Sequence, residues 1–405
     1  MRILPTARLS IAQLVLTLVS ASVLVAPATA QPPDRPTATT TTARHDTTPR
    51  LLRADVGLYP RAIRLAHSGS ANGDIMASVV TFDGNTGLGA IYASHDNGRS
   101  FTQVGTVADP AAANGKGLCC ATLYELPRRV GRLPAGTLLW SASAGQDSGA
   151  DRRMSIRVWQ SQDHGRTWSY LATPAVAANT AGVWEPEFTV AADGRLVVFY
   201  SDETDQPAHS QMMVQSESPD GVTWSAPHGT IVSNDPGARP GMANVRQIPR
   251  QGYLMTYEVC GAGSGQGCTV HYRRSADGVH WGDPAALGPQ IAGADGRYFV
   301  HTPTISWTPG HGRYGRLFLV GQLLHNADGT PAPGNGRTVM VSDAGPAGPW
   351  RSFDAPVQVP DAFDSYCPNY SSTLVPVGGN RLLEIATSFG DDGVCRASYA
   401  TGRTR

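Results

Sequence analysis

Three glutamates in this chain sit where carboxyl chemistry could be done. Glu185 and Glu187 stand two apart in Val-Trp-Glu-Pro-Glu-Phe (183–188), and Glu258 ends the run Leu-Met-Thr-Tyr-Glu (254–258). Side chains two apart on a strand share a face, so Glu185 and Glu187 are expected on one side, with Trp184, Pro186 and Phe188 on the other. Seven residues on from a turn glycine, counting it as one, other runs carry Val79, Ala142, Tyr200 and Gly321 where this one carries Glu258. Glu258 thus reads as a charged exception at an apolar position. Two carboxyl groups, one protonated and one ionised, are what cleavage of a glycosidic bond requires; retention of configuration calls for about 5–5.5 Å between them. Burial against Trp184 would raise one pKa, and a nearby arginine would lower the other. Arg61 and Arg239, each beside a proline, are the natural arginines. Glu203, Glu217 and Glu384 read as ordinary surface or strand residues.

The elements that must hold these groups are announced by a repeat. Ser94-His-Asp96-Asn-Gly98-Arg-Ser-Phe101 and Ser161-Gln-Asp163-His-Gly165-Arg-Thr-Trp168 share one pattern. Ser218-Pro-Asp220-Gly-Val-Thr-Trp224 and Ser275-Ala-Asp277-Gly-Val-His-Trp281 are the same box, one residue shorter, and Ser342-Asp343-Ala-Gly345 leading to Trp350 is a degenerate copy. The leading serines at 94, 161, 218, 275 and 342 are spaced by 67, 57, 57 and 67 residues. Asp and Ser side chains bond backbone groups in tight turns, and Gly supplies the positive φ, so each box reads as a structural turn between strands. A unit of about 60 residues repeated over about 350 gives six, and the expected fold is an all-β, six-bladed β-propeller. The sixth blade starts near Asn369, and the other end of the chain is a common source of the strand that closes such a ring.

In a propeller the innermost strand of each blade lines the axis, and function collects where those strands meet the channel mouth. Those strands open with Tyr59-Pro-Arg61, Cys120-Ala-Thr122, Trp184-Glu185-Pro-Glu187, Arg239-Pro-Gly-Met242, His301-Thr-Pro303 and Asn369-Tyr370-Ser371. Several carry polar residues where a core strand would want Val or Ile, which suits a site better than it suits stability.

The ends and composition bound the rest. Arg2 and Arg8, an apolar run from Ile11 to Ala26 and Ala28-Thr29-Ala30 form a secretory signal pattern over residues 1–30. Residues 31–53, rich in Thr, Pro and Arg, read as a disordered linker, and residues 54–405 as the propeller. An extracellular, monomeric protein is expected. Net charge is zero and basic residues are scattered, so neither a nucleic-acid nor a membrane partner is indicated. Six cysteines in an exported chain suggest disulfides: Cys260–Cys268 across a Gly-rich loop and Cys367–Cys395 in the last blade. Cys119 and Cys120 are adjacent and could form a vicinal disulfide or stay free. With no paired CxxC and no His at ligand spacing, neither metal nor cofactor is expected.

The boxes resemble the Asp-box, or BNR, repeat of sialidases and their relatives, over essentially all of residues 55–405. Tyr-Pro-Arg-Ala-Ile-Arg-Leu (59–65), Leu-Cys-Cys-Ala-Thr-Leu (118–123), Val-Trp-Glu-Pro-Glu-Phe (183–188), Arg-Pro-Gly-Met (239–242), Met-Thr-Tyr-Glu-Val-Cys-Gly (255–261) and Asn-Tyr-Ser-Ser (369–372) resemble glycoside hydrolase family 93. The resemblance implies a retaining exo-1,5-α-L-arabinanase releasing arabinobiose from the non-reducing end of linear arabinan. It implies Glu185 as acid/base and Glu258 as nucleophile, with Glu187 the competitor for the first role and Tyr370 lining the same pocket. Arg61, Trp184, Arg239, Tyr257 and His301 are the expected substrate contacts. A rival is an exo-sialidase using Tyr370 with Glu258 and an arginine cluster drawn from Arg61, Arg273 or Arg297. A third possibility is a non-catalytic carbohydrate-binding propeller, which would keep Trp184, Tyr370 and the arginines without needing two convergent carboxylates.

Overall fold

A computed structural model describes residues 48–261, 267–310 and 312–404. The expected signal segment and most of the expected linker lie outside the described residues. Those described build six sheets arranged as the blades of a propeller, with three single-turn 3-10 helices besides. None of these helices is long and apolar enough to cross a membrane.

Each blade opens on its innermost strand. These are Leu58–Arg64, Leu118–Glu125, Val183–Val190, Arg239–Ile248, Thr304–Thr308 and Thr373–Gly378, in blades 1 to 6. Neighbouring strands in a blade run antiparallel, so the second strand returns to the face where the first began, and the third leaves it again. Blade 4 is extended by Tyr298–Val300 and Leu323–His325. Blade 6 is closed by Arg50–Leu51, which pairs with Cys395–Arg403. The ring therefore closes by pairing the first described strand with the last, and Arg50–Leu51 within the span read as linker is a strand.

The boxes join third and fourth strands. In the first, Asp96 Oδ1 accepts from the Ser94 hydroxyl (2.8 Å) and the Arg99 and Ser100 N–H groups (3.0 and 2.9 Å), while Ser94 Oγ accepts from Gly98 N–H. Asp163, Asp220 and Asp277 repeat the arrangement. The fifth copy departs from it: Asp343 pairs with Arg316 and Arg351, and Ser342 caps Gly345 O. Because third strands end on the face opposite the start of the innermost strands, the boxes lie far from the channel mouth.

Blades are held together by apolar layers. Trp140 of blade 2, fully buried, packs against blade 1, and a Cβ on Gly89 would fall 2.5 Å from its ring. Burying such a face removes well over 100 Å² from water, about 3 kcal/mol or more.

Candidate active site

The channel mouth is built by one backbone device used repeatedly. In blades 1 to 4 the innermost strand carries a β-bulge just inside its start. Register breaks between Leu58 and Arg61, Cys119 and Thr122, Trp184 and Glu187, and Gly241 and Asn244. The first bulged residue is left-handed in each: Tyr59 (φ 51°), Cys120 (63°), Glu185 (55°) and Met242 (57°). In blade 5 His301 and Thr302 (62° and 48°), and before blade 6 Asn369 and Ser371 (both 58°), are left-handed at the corresponding place. A non-glycine residue pays about 1–2 kcal/mol for this conformation, and strain concentrated at one place is a mark of function. Pro60 and Pro186 take the second bulged position, where the ladder tolerates a residue without an N–H.

The bulges change how the glutamates face. Glu185 and Glu187 do not share a side, because the extra residue between Trp184 and Glu187 breaks the alternation. Glu187 is buried deeper between blades. It accepts from Thr122 Oγ1 (2.9 Å), Val245 N–H (3.0 Å) and Arg246 (2.8 Å). All of that is structural bonding, with the carboxylate fully engaged. Glu185 instead accepts from the Ser201 hydroxyl at 2.6 Å, and its own N–H donates to Ser143 Oγ. Burial, and then the charges of Glu258 and Glu203, outweigh the Ser201 bond and push its pKa up to about 7.

Glu258 is paired across blade 4 with Gly241. The same register places Val80, Ser143 and Ser201 opposite Leu58, Cys119 and Trp184. These are the equivalents of Glu258, and two of them are polar residues at the mouth. Val79, Ala142 and Tyr200 match Tyr257, because the turn glycine of blade 4 lies one residue later than in blades 1 to 3. Glu258 Oε2 accepts from Thr302 N–H at 2.6 Å and lies 3.7 Å from His301 Nδ1. His301 Nε2 is 3.5 Å from Asp364. Burial works against an imidazolium here, but Glu258 and Asp364 outweigh it, so the His301 pKa is raised.

Around these carboxyls lies an apolar floor of Tyr59, Cys120 and Met242, packed with Cys119, Trp184 and Tyr370. The Tyr59 and Tyr370 rings are 6.1 Å apart. The Tyr370 phenol is pushed far up by burial and then by Glu258 and Glu185, so it stands as a neutral donor. Cys119 and Cys120 are joined, as are Cys260–Cys268 and Cys367–Cys395. Ligand atoms of Glu258, Cys260, Cys268 and His301 lie within 4.8 Å of one another, but both sulfurs are tied in a disulfide and offer no thiolate.

Three expected substrate contacts are placed elsewhere. Arg61 is buried, its guanidinium stacked 4.3 Å from the Tyr59 ring centroid, and it donates to Pro60 O and to Ser371 O and Oγ. Arg239 is a support, bonded to Glu203, Gln211 and Ser210. Tyr257 is fully buried in blade 4, on the opposite side of its strand from Glu258, and bonds Leu287 O. Trp184, His301 and Tyr370 do border the mouth. Of the glutamates read as ordinary, Glu203 holds Trp184 Nε1 at 3.0 Å and Glu384 is wholly buried. Ser143 and Ser201 emerge as equivalents of Glu258 only once the structure shows the bulges from which register must be counted, and nothing local marks Glu203 or Asp364.

No protein-family model and no curated protein matches the chain. Solved structures do. An α-L-arabinofuranosidase of Fusarium graminearum in complex with an iminosugar inhibitor is 26% identical, with TM-score 0.69, over 87% of this chain and 94% of that one. The family 93 α-L-arabinofuranosidase of the same fungus with arabinobiose is 25% identical (TM-score 0.67, 86% and 95% covered). A Penicillium chrysogenum α-L-arabinanase complexed with arabinobiose is 25% identical (TM-score 0.71, 88% and 98% covered). With a propeller architecture and near-complete mutual coverage, the chain is similar to the glycoside hydrolases of family 93, and the similarity supports a glycosidase.

Proposed function

We propose that the protein is a secreted, retaining exo-1,5-α-L-arabinanase that releases arabinobiose from the non-reducing end of linear arabinan. One observation carries this: two carboxyl groups at one channel mouth stand in opposed environments. Glu185, held up to about 7, is suited to protonate the leaving-group oxygen. Glu258, which receives the Thr302 N–H and faces His301, is suited to act as the nucleophile. In the first step a Glu258 oxygen bonds the anomeric carbon as the glycosidic C–O bond breaks and the Glu185 proton passes to the departing oxygen. In the second, Glu185 takes a proton from water, whose oxygen displaces Glu258 and restores the starting configuration. The fungal structures solved with arabinobiose support arabinan as the substrate class. The three disulfides support an oxidising, extracellular setting.

The sialidase alternative needs arginines gathered beside Tyr370. Arg61 is stacked on Tyr59, Arg273 is buried on Thr230, Trp281 and Asp283 carbonyls, and Arg297 pairs with Asp295. Product analysis on linear arabinan and a sialyl substrate in parallel tests the proposal. Arabinobiose from the first and nothing from the second is expected. Free sialic acid, or products of random internal cleavage, would overturn it.

A further inference from the structure

One surface feature is left unused by the pocket. Phe363 and Tyr366 are 54% and 62% exposed, on the loop that leads into blade 6. Both meet Phe389, at the end of the second strand of that blade. Phe363 is nearly parallel to it (19°, centroids 6.4 Å apart), and Tyr366 meets it edge-on (88°, 5.7 Å). Second strands end on the face where the mouth opens, so this aromatic group stands on the rim. Asp364, between the two exposed rings, contacts His301, which contacts Glu258. The aromatic patch thus begins one imidazole away from the carboxylate.

The loop is held in shape from below. The buried Gln322 amide donates to the Phe363, Ser365 and Pro368 carbonyls (3.2, 2.6 and 3.1 Å), and Asn335 donates to Ala362 O (2.7 Å). Exposed rings on a fixed backbone are unfavourable in a free protein and are characteristic of binding surfaces. Among the described residues the remaining exposed tyrosine or phenylalanine ring, Tyr170, is covered on one face by Arg157.

We infer that Phe363, Tyr366 and Phe389 form an accessory carbohydrate subsite, a rim platform that carries the part of a neutral polysaccharide lying beyond the scissile bond. This rests on the hydrolase reading above. A mouth that accepts one chain end must let the rest of the chain leave across its rim. Sugar rings present C–H faces that pack on aromatic faces, and the charges beside the platform are already paired, Asp364 with His301 and Arg396 with Asp392, which favours a neutral polymer.

The test is the double variant Phe363→Ala/Tyr366→Ala, assayed on long linear arabinan and on a short arabinoside that ends at the pocket. The expected result is a KM for the polymer raised about five- to tenfold, with kcat and the short-substrate rate preserved. Phe363→Tyr/Tyr366→Phe, which keeps both rings, is expected to behave as wild type and controls for folding. An unchanged polymer KM in the alanine variant, or equal losses on both substrates, would overturn the platform. If the wild type cleaves no arabinan, the substrate reading fails separately, and retardation of the protein in gels containing neutral polysaccharides decides the platform. Retardation lost with the rings supports it; none, or retardation unaffected by their removal, overturns it.

Discussion

Trp184 donates its indole N–H to Oε2 of Glu203 at 3.0 Å, and the other oxygen of that carboxylate pairs with Arg239. Burial opposes ionisation of Glu203, but the Trp184, Arg239 and Gly182 bonds outweigh it and hold its pKa below the usual range. Its charge then helps raise Glu185. Glu185 must be protonated to act as an acid, so activity is expected to fall as pH rises through about 7. Glu203→Gln keeps an acceptor for Trp184 and removes the charge. The alkaline limb of kcat/KM is predicted to move to lower pH, and a limb that stays put would exclude this coupling.

Gly241 leaves the space that Glu185 uses. A Cβ there would lie 2.4 Å from Gln211 Nε2, 2.8 Å from Ser201 Oγ and 3.6 Å from Glu185 Oε2. Gly241→Ala is predicted to displace the Ser201 hydroxyl from Glu185 and lower kcat by about 10- to 100-fold, with a small change in Tm. Steady-state kinetics beside a melting curve would separate this from general destabilisation.

Glu187 provides the contrast. Its carboxylate is consumed by Thr122, Val245 and Arg246. Glu187→Gln loses the charge partner of Arg246 and is expected to cost about 1.5–3 kcal/mol in stability. The folded variant is expected to keep kcat within a few-fold. Denaturant unfolding and active-site-normalised rates check both halves; a loss of turnover as deep as that of Glu185→Gln would restore Glu187 as a catalytic candidate.

The spacing of the boxes made the six blades legible because their requirements are local: an aspartate to receive turn N–H groups, a glycine for positive φ, an aromatic ring to bury. The bulges were not legible for the opposite reason. Tyr59, Cys120, Glu185 and Met242 adopt a left-handed backbone without being glycine, against their own preferences, so no residue type announces the bulge. Strict alternation therefore put Glu187 beside Glu185. Counting from glycines likewise matched Glu258 with Val79, Ala142 and Tyr200 in place of Val80, Ser143 and Ser201. The candidate carboxyls were still visible, since Glu185 and Glu258 are charged groups in apolar surroundings. Their supports Glu203, Asp364 and Thr302 come from other segments of the chain and carry no local mark.

Glu384 shows the same limit. It reads as a strand residue, yet it is wholly buried, with Val357 N–H its bonded donor at 2.8 Å. Burial, only partly offset by that bond, pushes its pKa up to about 8, against an ordinary 4.5. Between those values the folded protein keeps a proton that the unfolded chain releases. This group's contribution to stability is therefore full at low pH and declines by about 1.4 kcal/mol per pH unit across that window. Glu384→Gln removes the titration. Its stability relative to wild type is predicted to rise between about pH 5 and pH 8 in urea unfolding, and a difference independent of pH would refute the buried proton.

The most direct test of the two-carboxyl mechanism is the turnover of linear arabinan by Glu258→Gln at matched folded concentration. Glutamine keeps an acceptor for the Thr302 N–H and removes the nucleophilic carboxylate. The prediction is a fall in kcat of about a thousandfold or more with Tm retained. Turnover within about tenfold of wild type would contradict the assignment of Glu258 and, with it, the mechanism.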